Sequence, residues 1–384
     1  MKKAYDFVIV GAGAFGAWSA RFLQQNGARV ALVDAYGPAN GRSSSGGETR
    51  VMRMGYGPDD FYTLMAQRSL PLWEELALEV EAELFHRTGV LWLSNDADEY
   101  TKGMVDIFEK NDIPFERLDQ AALRQQHPEL KFDDASWGLC EPGSGVLMAR
   151  RGVELLVYAL ERSGLSYIHA AAIAPRGTGK VNEILTARGE SIPAGQFIFA
   201  CGAWLPRLFP ELLRDRIFPS RQEVFYLGPP AGDDGFRPPR MPVWLYHLHP
   251  DIPYAIPDIE GRGFKIAFDR HGGAIDPDSD ERVVGSGSLS RLREFLTNQI
   301  PRLKDAPIFG TRVCQYENTW DGDFLIDRHP DFENVWLVGG GSGHGFKHAP
   351  AVGEYLTSLL LNKARPELRF SLASKQTSQA RKVY

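Results

Sequence analysis

The chain has 384 residues, which is more than one hydrophobic core usually supports, so we expect two domains. Hydrophobic residues make up 43% and the net charge is -6; the sequence has no basic block, which argues against nucleic-acid binding. Three cysteines, Cys140, Cys201 and Cys314, are too few and too far apart for a disulfide framework or a zinc site. We therefore expect a reducing, cytoplasmic setting and no metal.

The first predicted elements form a β-α-β unit. An apolar strand at 5–10 leads into the segment GAGAFG, a helical pattern follows over 17–27, and a second strand ends on Asp34. Lys2 and Lys3 before an apolar run loosely resemble a signal peptide, but Asp6 interrupts that run. No later apolar run approaches the length needed to span a membrane.

The glycine spacing in this unit predicts dinucleotide binding. Gly11 allows the tight turn, Gly13 lets the backbone approach a pyrophosphate, and Gly16 lets the helix pack on the strand. Asp34 can bind a ribose hydroxyl, and the helix N-terminus attracts phosphate. A glycine-rich turn in another α/β fold is the alternative. Two further residues of the turn are expected to contact the nucleotide, Ala14 and Phe15.

The unit alone does not distinguish NAD from FAD. It stands at the N-terminal end, and no second complete copy follows, which is more typical of a flavoprotein that binds a single nucleotide. A polar, glycine-rich loop at 37–57 carries Arg42, Arg50 and Arg53, and a solvated connector is its simplest interpretation. The segment 61–80 is then typical of an amphipathic helix interrupted by Pro71.

From about residue 217 to Cys314 the pattern changes to alternating, aromatic-rich strands, which indicates a mostly antiparallel sheet. We expect Cys314 to follow the last of these strands. The sequence then returns to strand, glycine loop and helix, and ends in a polar tail at 373–384 that we expect to be mobile. These changes predict a nucleotide domain formed by residues 1–85, 145–215 and 320–384, and a substrate domain formed by residues 86–144 and 216–319.

Six segments together resemble one enzyme family: VIVGAGAFGAWSA, GGETRVMR, SRQEVF, GFK, VCQYENTWDGDFLIDRHP and GGGSGHGFKHAPAVGE. In order and spacing they are similar to monomeric sarcosine oxidase and its relatives, which include N-methyltryptophan oxidase and the fructosyl-amino-acid oxidases. This group belongs to the glycine/D-amino-acid oxidase class of flavoproteins. The resemblance covers nearly the whole chain and implies an α/β fold, in which a mostly antiparallel sheet is inserted into a Rossmann-like FAD-binding domain.

The resemblance gives Cys314 a chemical role. From the residues alone, a buried structural cysteine is the simpler interpretation. In the family, the cysteine of the matching C-x-Y motif bonds covalently to the 8α-methyl group of FAD, and a thiolate is a suitable nucleophile. The resemblance therefore implies FAD attached through Cys314.

The resemblance also implies a catalytic set. Lys265 matches a lysine over the flavin that is thought to activate O₂, because a fixed cation stabilises superoxide. Arg53 and Lys347 match the pair that binds the substrate carboxylate. Tyr254 falls where the family has a pocket tyrosine, although an ordinary strand aromatic explains it equally well. The remaining residues that the resemblance implies beside FAD are Ser45, Thr49, Arg50, Tyr316, Gly343, His344, Gly345 and Lys347.

Two departures from the family concern the substrate cavity. Ser45 and Gly46 stand where sarcosine oxidase has a pair of histidines, and Asp269 stands where it has another. Both sites are expected to line or border the substrate cavity. The loss of imidazoles there argues against sarcosine as the assumed substrate.

The sequence as a whole predicts an FAD-dependent oxidase of an amino acid, one that carries an N-substituent, with O₂ reduced to hydrogen peroxide. The partners expected are the small-molecule substrate and O₂, with no nucleic acid and no membrane, and the chain is expected to act as a monomer. Two alternatives stay open. One is a flavin dehydrogenase of the same fold that passes electrons to a quinone or a carrier protein, and the other is a flavin-binding protein without turnover.

Overall fold

The computed structural model describes residues 4–270 and 272–375. The strands are β1 (Tyr5–Val10), β2 (Val30–Asp34), β3 (Arg50–Met52), β4 (Phe85–His86), β5 (Val90–Ser94), β6 (Glu116–Asp119), β7 (Trp137–Glu141), β8 (Gly145–Leu147), β9 (Ser166–His169), β10 (Glu183–Leu185), β11 (Ser191–Phe199), β12 (Ile217–Leu227), β13 (Val243–Leu245), β14 (Pro253–Ile256), β15 (Phe264–Phe268), β16 (Ile308–Thr319), β17 (Leu325–Arg328) and β18 (Val335–Gly339). The α-helices are α1 (Ala14–Gln25), α2 (Asp60–Glu79), α3 (Glu99–Lys110), α4 (Gln120–Gln126), α5 (Ala149–Arg162), α6 (Leu205–Leu208), α7 (Pro210–Leu213), α8 (Ser286–Gln299) and α9 (Ala349–Leu360).

One sheet contains the N-terminal strand. Its strand order is β17-β18-β11-β1-β2-β9, and β10 pairs with β11. β1 lies parallel to both β2 and β11, with Val8 opposite Ala31 on one side and Phe197 on the other. A strand covered on both faces needs a continuous apolar run, and Val8 and Ile9 are fully buried. Helices α1 and α9 pack on one face, where Trp18 joins the core.

The second sheet has the strand order β16-β12-β15-β14-β13-β5-β7-β6. Its neighbouring strands are antiparallel except for β13 and β5, which confirms the mostly antiparallel prediction. Helix α8, which the sequence analysis did not anticipate, buries Leu292 and Leu296 in the same core as Phe225, Trp244 and Ile266 of this sheet. The predicted fold class is therefore confirmed.

The strands divide between the two sheets as the predicted domains do. Every strand of the first sheet lies within residues 1–85, 145–215 or 320–384, and every strand of the second lies within 86–144 or 216–319. A small sheet, β3-β8-β4, includes His86, one residue beyond the predicted boundary. The boundaries themselves stay a prediction.

Two details of the secondary-structure prediction are wrong. Helix α2 runs through Pro71 without a break, because residues on both sides of the proline, such as Tyr62 and Trp73, are buried in one core. Tertiary packing thus offsets the lost backbone hydrogen bond. Cys314 lies inside β16 rather than after it, since β16 pairs with β12 along its length and Cys314 is opposite Gln222.

Most of the polar tail, residues 376–384, and the N-terminal residues 1–3 with Lys2 and Lys3 lie outside the described residues. Lys375, the last described residue, does not fit the prediction of mobility. Its side chain is fully buried, and its ammonium group lies 3.0 Å from Asp321. Within residues 4–270 and 272–375, no helix is both long and apolar enough to cross a bilayer.

Candidate active site

A cavity of about 320 Å³ lies at the carboxyl ends of β1 and β2. Parallel strands bring their carboxyl ends to one edge of a sheet, which is the usual ligand-binding edge. The cavity is closed on its other sides by the segments 200–204 and 341–346 and by strand β16. The sequence-predicted residues that line it are Gly11, Gly13, Ala14, Phe15, Asp34, Ser45, Arg50, Tyr316, Gly343 and Gly345.

The glycine turn is shaped by close backbone contacts. Gly11 has a φ of +108°, and a Cβ there would lie 2.3 Å from the carbonyl oxygen of Ala200. A Cβ on Gly16 would lie 1.9 Å from the carbonyl oxygen of Gly11. Gly13 lines the cavity, and a Cβ there would meet only the Ser45 hydroxyl, at 3.5 Å. Packing therefore requires glycine at Gly11 and Gly16. At Gly13, the absence of a side chain leaves space in the cavity.

Asp34 and Ser45 hold the turn in place. One carboxylate oxygen of Asp34 accepts a hydrogen bond from the Ala12 N–H at 2.8 Å, and the other accepts from Tyr36 and Gly37, also at 2.8 Å. The Ser45 hydroxyl accepts from the Ala14 N–H at 3.1 Å, at the start of α1. Asp34 therefore braces two loops while it lines the cavity, and its contact with a ribose stays a prediction.

A second, smaller cavity of about 70 Å³ adjoins the first. Arg50, Tyr316, Gly343 and Phe346 line both. The tertiary structure brings residues from six segments to this second cavity, namely 47–53, 222–226, 245–254, 265–269, 312–316 and 343–347. The sequence-predicted residues that line it are Arg50, Arg53, Tyr254, Lys265, Cys314, Tyr316, Gly343, His344 and Lys347.

Lys265 lies on β15 in the wall of the second cavity. Its side chain is buried, and its ammonium group donates a hydrogen bond to the backbone carbonyl of Thr49 at 3.0 Å. Burial, helped by the nearby Arg50 guanidinium, lowers the pKa of Lys265 to about 7. Its nitrogen also lies 5.8 Å from the centre of the Tyr254 ring. Thr49 itself lines neither cavity, and it contributes a backbone acceptor.

Arg53 and Lys347 form a buried pair of cations. The Arg53 guanidinium donates to the Gly55 carbonyl and lies 4.3 Å from the Tyr56 ring centre and 5.0 Å from that of Trp92. Lys347 donates to the His344 carbonyl at 3.1 Å. Burial and the charge of Arg53 hold the pKa of Lys347 well below its usual range. An anionic ligand in the cavity would relieve this repulsion.

Cys314 and Arg50 are close neighbours. The thiol is buried, and its Sγ lies 3.7 Å from an Arg50 nitrogen. Arg50 also donates to the carbonyl of Thr49 at 2.8 Å and to that of Ser44, so its position is fixed. Arg50 therefore holds a guanidinium beside the sulfur of Cys314.

The residues that depart from the family pattern do not lie in the same cavity. Asp269 lines the second cavity and accepts a hydrogen bond from the Tyr316 hydroxyl at 2.6 Å. Ser45 lines the first cavity instead, and Gly46 lines neither; a Cβ on Gly46 would lie 2.0 Å from the Asn40 carbonyl oxygen. Only Asp269 therefore changes the composition of the second cavity.

The comparison with known proteins decides the family. The sequence matches the FAD dependent oxidoreductase family over residues 6–359. The chain belongs to this family. The resemblance inferred from sequence motifs is thereby confirmed, and the cofactor of the family is FAD.

Relatives of this FAD dependent oxidoreductase align along nearly their full length. Monomeric sarcosine oxidase from Bacillus sp. (strain B-0618) is 30% identical, over 94% of this chain and 93% of that protein. N-methyl-L-tryptophan oxidase from Salmonella arizonae is 29% identical, over 94% and 95%. Among solved structures, L-proline dehydrogenase from P. horikoshii superposes with a TM-score of 0.83 at 20% identity, over 97% of this chain and 98% of that one, which is a likeness of fold.

The two cavities of this FAD dependent oxidoreductase fit a dinucleotide with a reactive ring. The glycine turn and the first N–H groups of α1 suit a pyrophosphate, and the acid at the end of β2 suits a ribose. The charged second cavity begins where the first one ends, at Arg50 and Tyr316. A redox ring held there could face a bound substrate.

Sequence reasoning missed Glu141, which supports the second cavity of the FAD dependent oxidoreductase. Glu141 is buried and accepts hydrogen bonds from the N–H groups of Met54 and Gly55 at 2.6 and 3.1 Å, and from the Trp92 indole at 2.7 Å. It therefore fixes the backbone that follows Arg53. A glutamate at the end of an otherwise apolar strand was the available signal.

Proposed function

We propose that this flavoprotein oxidises the C–N bond of an amino acid, one with an N-substituent, to an imine, and reduces O₂ to hydrogen peroxide. The observation that carries the proposal is the grouping of Arg53, Lys347 and Lys265 in one buried cavity that adjoins the dinucleotide cavity. The relatives named above as sarcosine and N-methyl-L-tryptophan oxidases support the same class of substrate.

Arg53 and Lys347 would bind the substrate carboxylate. A guanidinium offers two parallel N–H donors to a carboxylate, and a lysine adds a point charge. Because both cations are buried, their attraction for an anion is weakly screened by solvent. Bound FAD would supply the acceptor for the electrons of the C–N bond. The protein orients the substrate and excludes water, and no strong base is needed when the amine is neutral.

Cys314 would attach FAD covalently through a thioether. Its thiol lies in the wall of the second cavity, close to the guanidinium of Arg50, and both residues are buried or half-buried. A covalent bond would keep the cofactor in place through many turnovers. Ser45, Gly343, His344 and Gly345, which line the two cavities, would complete its surroundings, and Thr49 would support them through its backbone carbonyl.

Lys265 favours an oxidase over a dehydrogenase of the same fold. Reduction of O₂ passes through superoxide, and a preorganised cation in a site sheltered from water stabilises that charge. Lys265 is buried beside the cavity and held by the Thr49 carbonyl. Tyr254 would form part of the same wall.

The proposal is tested by adding a panel of amino acids and secondary amines without O₂ and recording the flavin absorbance. Substrates bleach the flavin, and simple amines without a carboxylate do not. With air restored, one peroxide is expected for each O₂ consumed. Bleaching without peroxide would instead identify a dehydrogenase, and no bleaching by any amino acid would contradict the function.

We also propose that the protein acts as a monomer in the cytoplasm. None of its three cysteines forms a disulfide, as expected in a reducing compartment. Sedimentation equilibrium of the holoenzyme at two concentrations would test the monomer: we expect the mass of one 42.8 kDa chain plus FAD at both, and a larger mass at either concentration would contradict it.

A further inference from the structure

Glu317 is a buried acid in the wall of the first cavity. It follows Cys314 by three residues on β16, and because strand residues alternate between faces, the two side chains leave the strand on opposite sides. Cys314 accordingly lines the second cavity and Glu317 the first. The Glu317 residue is only 8% exposed.

The two carboxyl oxygens of Glu317 have different surroundings. Oε1 accepts a hydrogen bond from the Gly341 N–H at 3.3 Å. Oε2 is buried and has no hydrogen-bond partner among the described residues. A Cβ on Gly202 would lie 2.5 Å from Oε2, so the segments after β11 and β18 hold the carboxyl group between them. One oxygen of a carboxyl that lines the first cavity is thus left without a partner among the described residues, and a buried polar group of this kind needs one.

Among the described residues, no cationic side chain forms an ion pair with this carboxyl, and Arg50, which lines the same cavity, donates instead to the carbonyls of Thr49 and Ser44. The titratable groups that face it from the neighbouring elements are the Cys201 thiol and, at the end of β2, Asp34, and neither can be a cation. Burial raises the pKa of Glu317 to about 7, against the opposing effect of the Gly341 N–H. The phosphates of a dinucleotide would add negative charge to the same cavity and so favour the neutral form further.

We propose that Glu317 is a cofactor-binding residue that acts as a neutral carboxylic acid, donating a hydrogen bond from Oε2 to an acceptor oxygen of FAD. A protonated carboxyl carries one O–H donor, whereas an ionised one only accepts and would repel phosphate. Binding of FAD is therefore coupled to the uptake of a proton above about pH 7. The inference rests on the family cofactor and on its place in the first cavity, not on the amine substrate.

The test measures FAD affinity in the Cys314→Ser protein, where the cofactor can be removed and titrated back with flavin fluorescence as the readout. Between pH 6 and pH 8.5, Kd is expected to rise by roughly 30-fold, because a group with a pKa of about 7 must be protonated for binding. Glu317→Gln in this background keeps a donor without a titration, so its Kd at pH 6 is unchanged within about threefold and the pH dependence is lost.

Glu317→Ala is expected to bind FAD about tenfold more weakly than Glu317→Gln at pH 6, again without the pH dependence. Glu333→Gln removes an exposed acid and serves as the control that keeps the parent's behaviour. The proposal is overturned when Glu317→Gln retains the full pH dependence, or when it binds more than tenfold more weakly than the parent at pH 6. Circular dichroism checks that each variant is folded, and the Gln comparison decides the matter even where the Ala variant does not fold.

Discussion

Burial, more than pairing with acids, sets the properties of the cations in the second cavity. The pKa of Lys265 and that of Lys347 are both lowered, in each case first by desolvation and then by a neighbouring arginine. A buried lysine with a lowered pKa reduces the stability of the protein unless a ligand compensates its charge. Perturbed pKa values of this kind are found at functional sites.

The covalent link is tested by replacing the sulfur. Acid-precipitated wild-type protein should stay yellow, whereas Cys314→Ser should release its flavin into the supernatant, because a hydroxyl does not form the thioether. Cys140→Ser is the matched control, since Cys140 lines neither cavity and burial raises the pKa of its thiol to about 11. Release of all the flavin from wild-type protein would remove Cys314 from this role.

Lys265→Met should leave flavin reduction by substrate largely intact and slow reoxidation by O₂ by about 100-fold, the usual order for loss of a preorganised charge. The wild-type rate of reoxidation should fall as pH rises through the pKa of Lys265, which is about 7 in the ligand-free cavity. A negative charge arriving in the cavity raises that pKa, so the midpoint lies at or above 7. Stopped-flow absorbance measures both half-reactions.

In Lys265→Met this pH step should be absent, since no titrating ammonium group remains. Lys363→Met removes an exposed lysine and should retain the wild-type profile. Reoxidation of Lys265→Met at the normal rate would exclude Lys265 from O₂ chemistry.

Arg53 and Lys347 should differ in their effect on substrate binding. Arg53→Ala removes a bidentate partner and leaves a bound carboxylate poorly paired. We expect kcat/KM to fall by the equivalent of about 2–5 kcal/mol. Lys347→Ala should cost less, because lysine contributes a point charge. Steady-state kinetics with the best amino acid measure both. Equal turnover of the corresponding decarboxylated amine by the wild-type enzyme would show that no carboxylate site exists.

At the scale of elements, the site depends on how closely α1 approaches its neighbours. Helix α1 carries the glycine turn at its start, and α9 packs against it where a Cβ on Gly353 would lie 2.7 Å from backbone atoms of Trp18. Helix α1 also packs against β1 through Gly16. Small residues at these crossings therefore fix the position of the turn that lines the first cavity.

Gly353→Ala should destabilise the protein by about 1–3 kcal/mol, because the added methyl group meets backbone and the two helices must separate. Gly287→Ala in α8 is the matched control. No atom lies within 4 Å of a Cβ there, so alanine should be neutral or stabilising by up to about 1 kcal/mol. Chemical denaturation measures both, and a Gly353→Ala protein as stable as wild type would contradict the close packing.

At the scale of the whole molecule, the buried lysines make stability depend on pH. The unfolded chain binds their protons up to the usual lysine pKa of 10.5, whereas folded Lys265 releases its proton near pH 7. Between these values the unfolded state holds more lysine protons, so the contribution of the lysines to the stability of the flavin-free protein rises with pH. For Lys265 alone this change amounts to at most about 5 kcal/mol across the window.

The double variant Lys265→Met Lys347→Met, prepared in the flavin-free Cys314→Ser protein, should be more stable than its parent at pH 7. The difference should shrink as pH approaches 10. Thermal unfolding followed at several pH values gives the comparison. A constant difference between the two proteins across this range would show that the lysines are charged in the folded state.

The local features of this protein can be predicted from neighbouring residues along the chain. The β-α-β unit was predictable because its turn requires Gly11 and Gly16 and its strands are continuous apolar runs, and the motifs in order were sufficient to indicate the family. Strand alternation likewise indicated the second sheet. Where neighbours along the chain dictate the conformation, the sequence is enough.

Only the tertiary structure decided the environments of the charged side chains. It placed Arg53, Lys265 and Lys347 in one cavity, carried α2 through Pro71, and left one oxygen of Glu317 without a partner among the described residues. Burial and the distance to other charges depend on segments hundreds of residues apart, and these quantities set a pKa. A lysine on a strand or a glutamate after a cysteine carries no such information until the chain is folded.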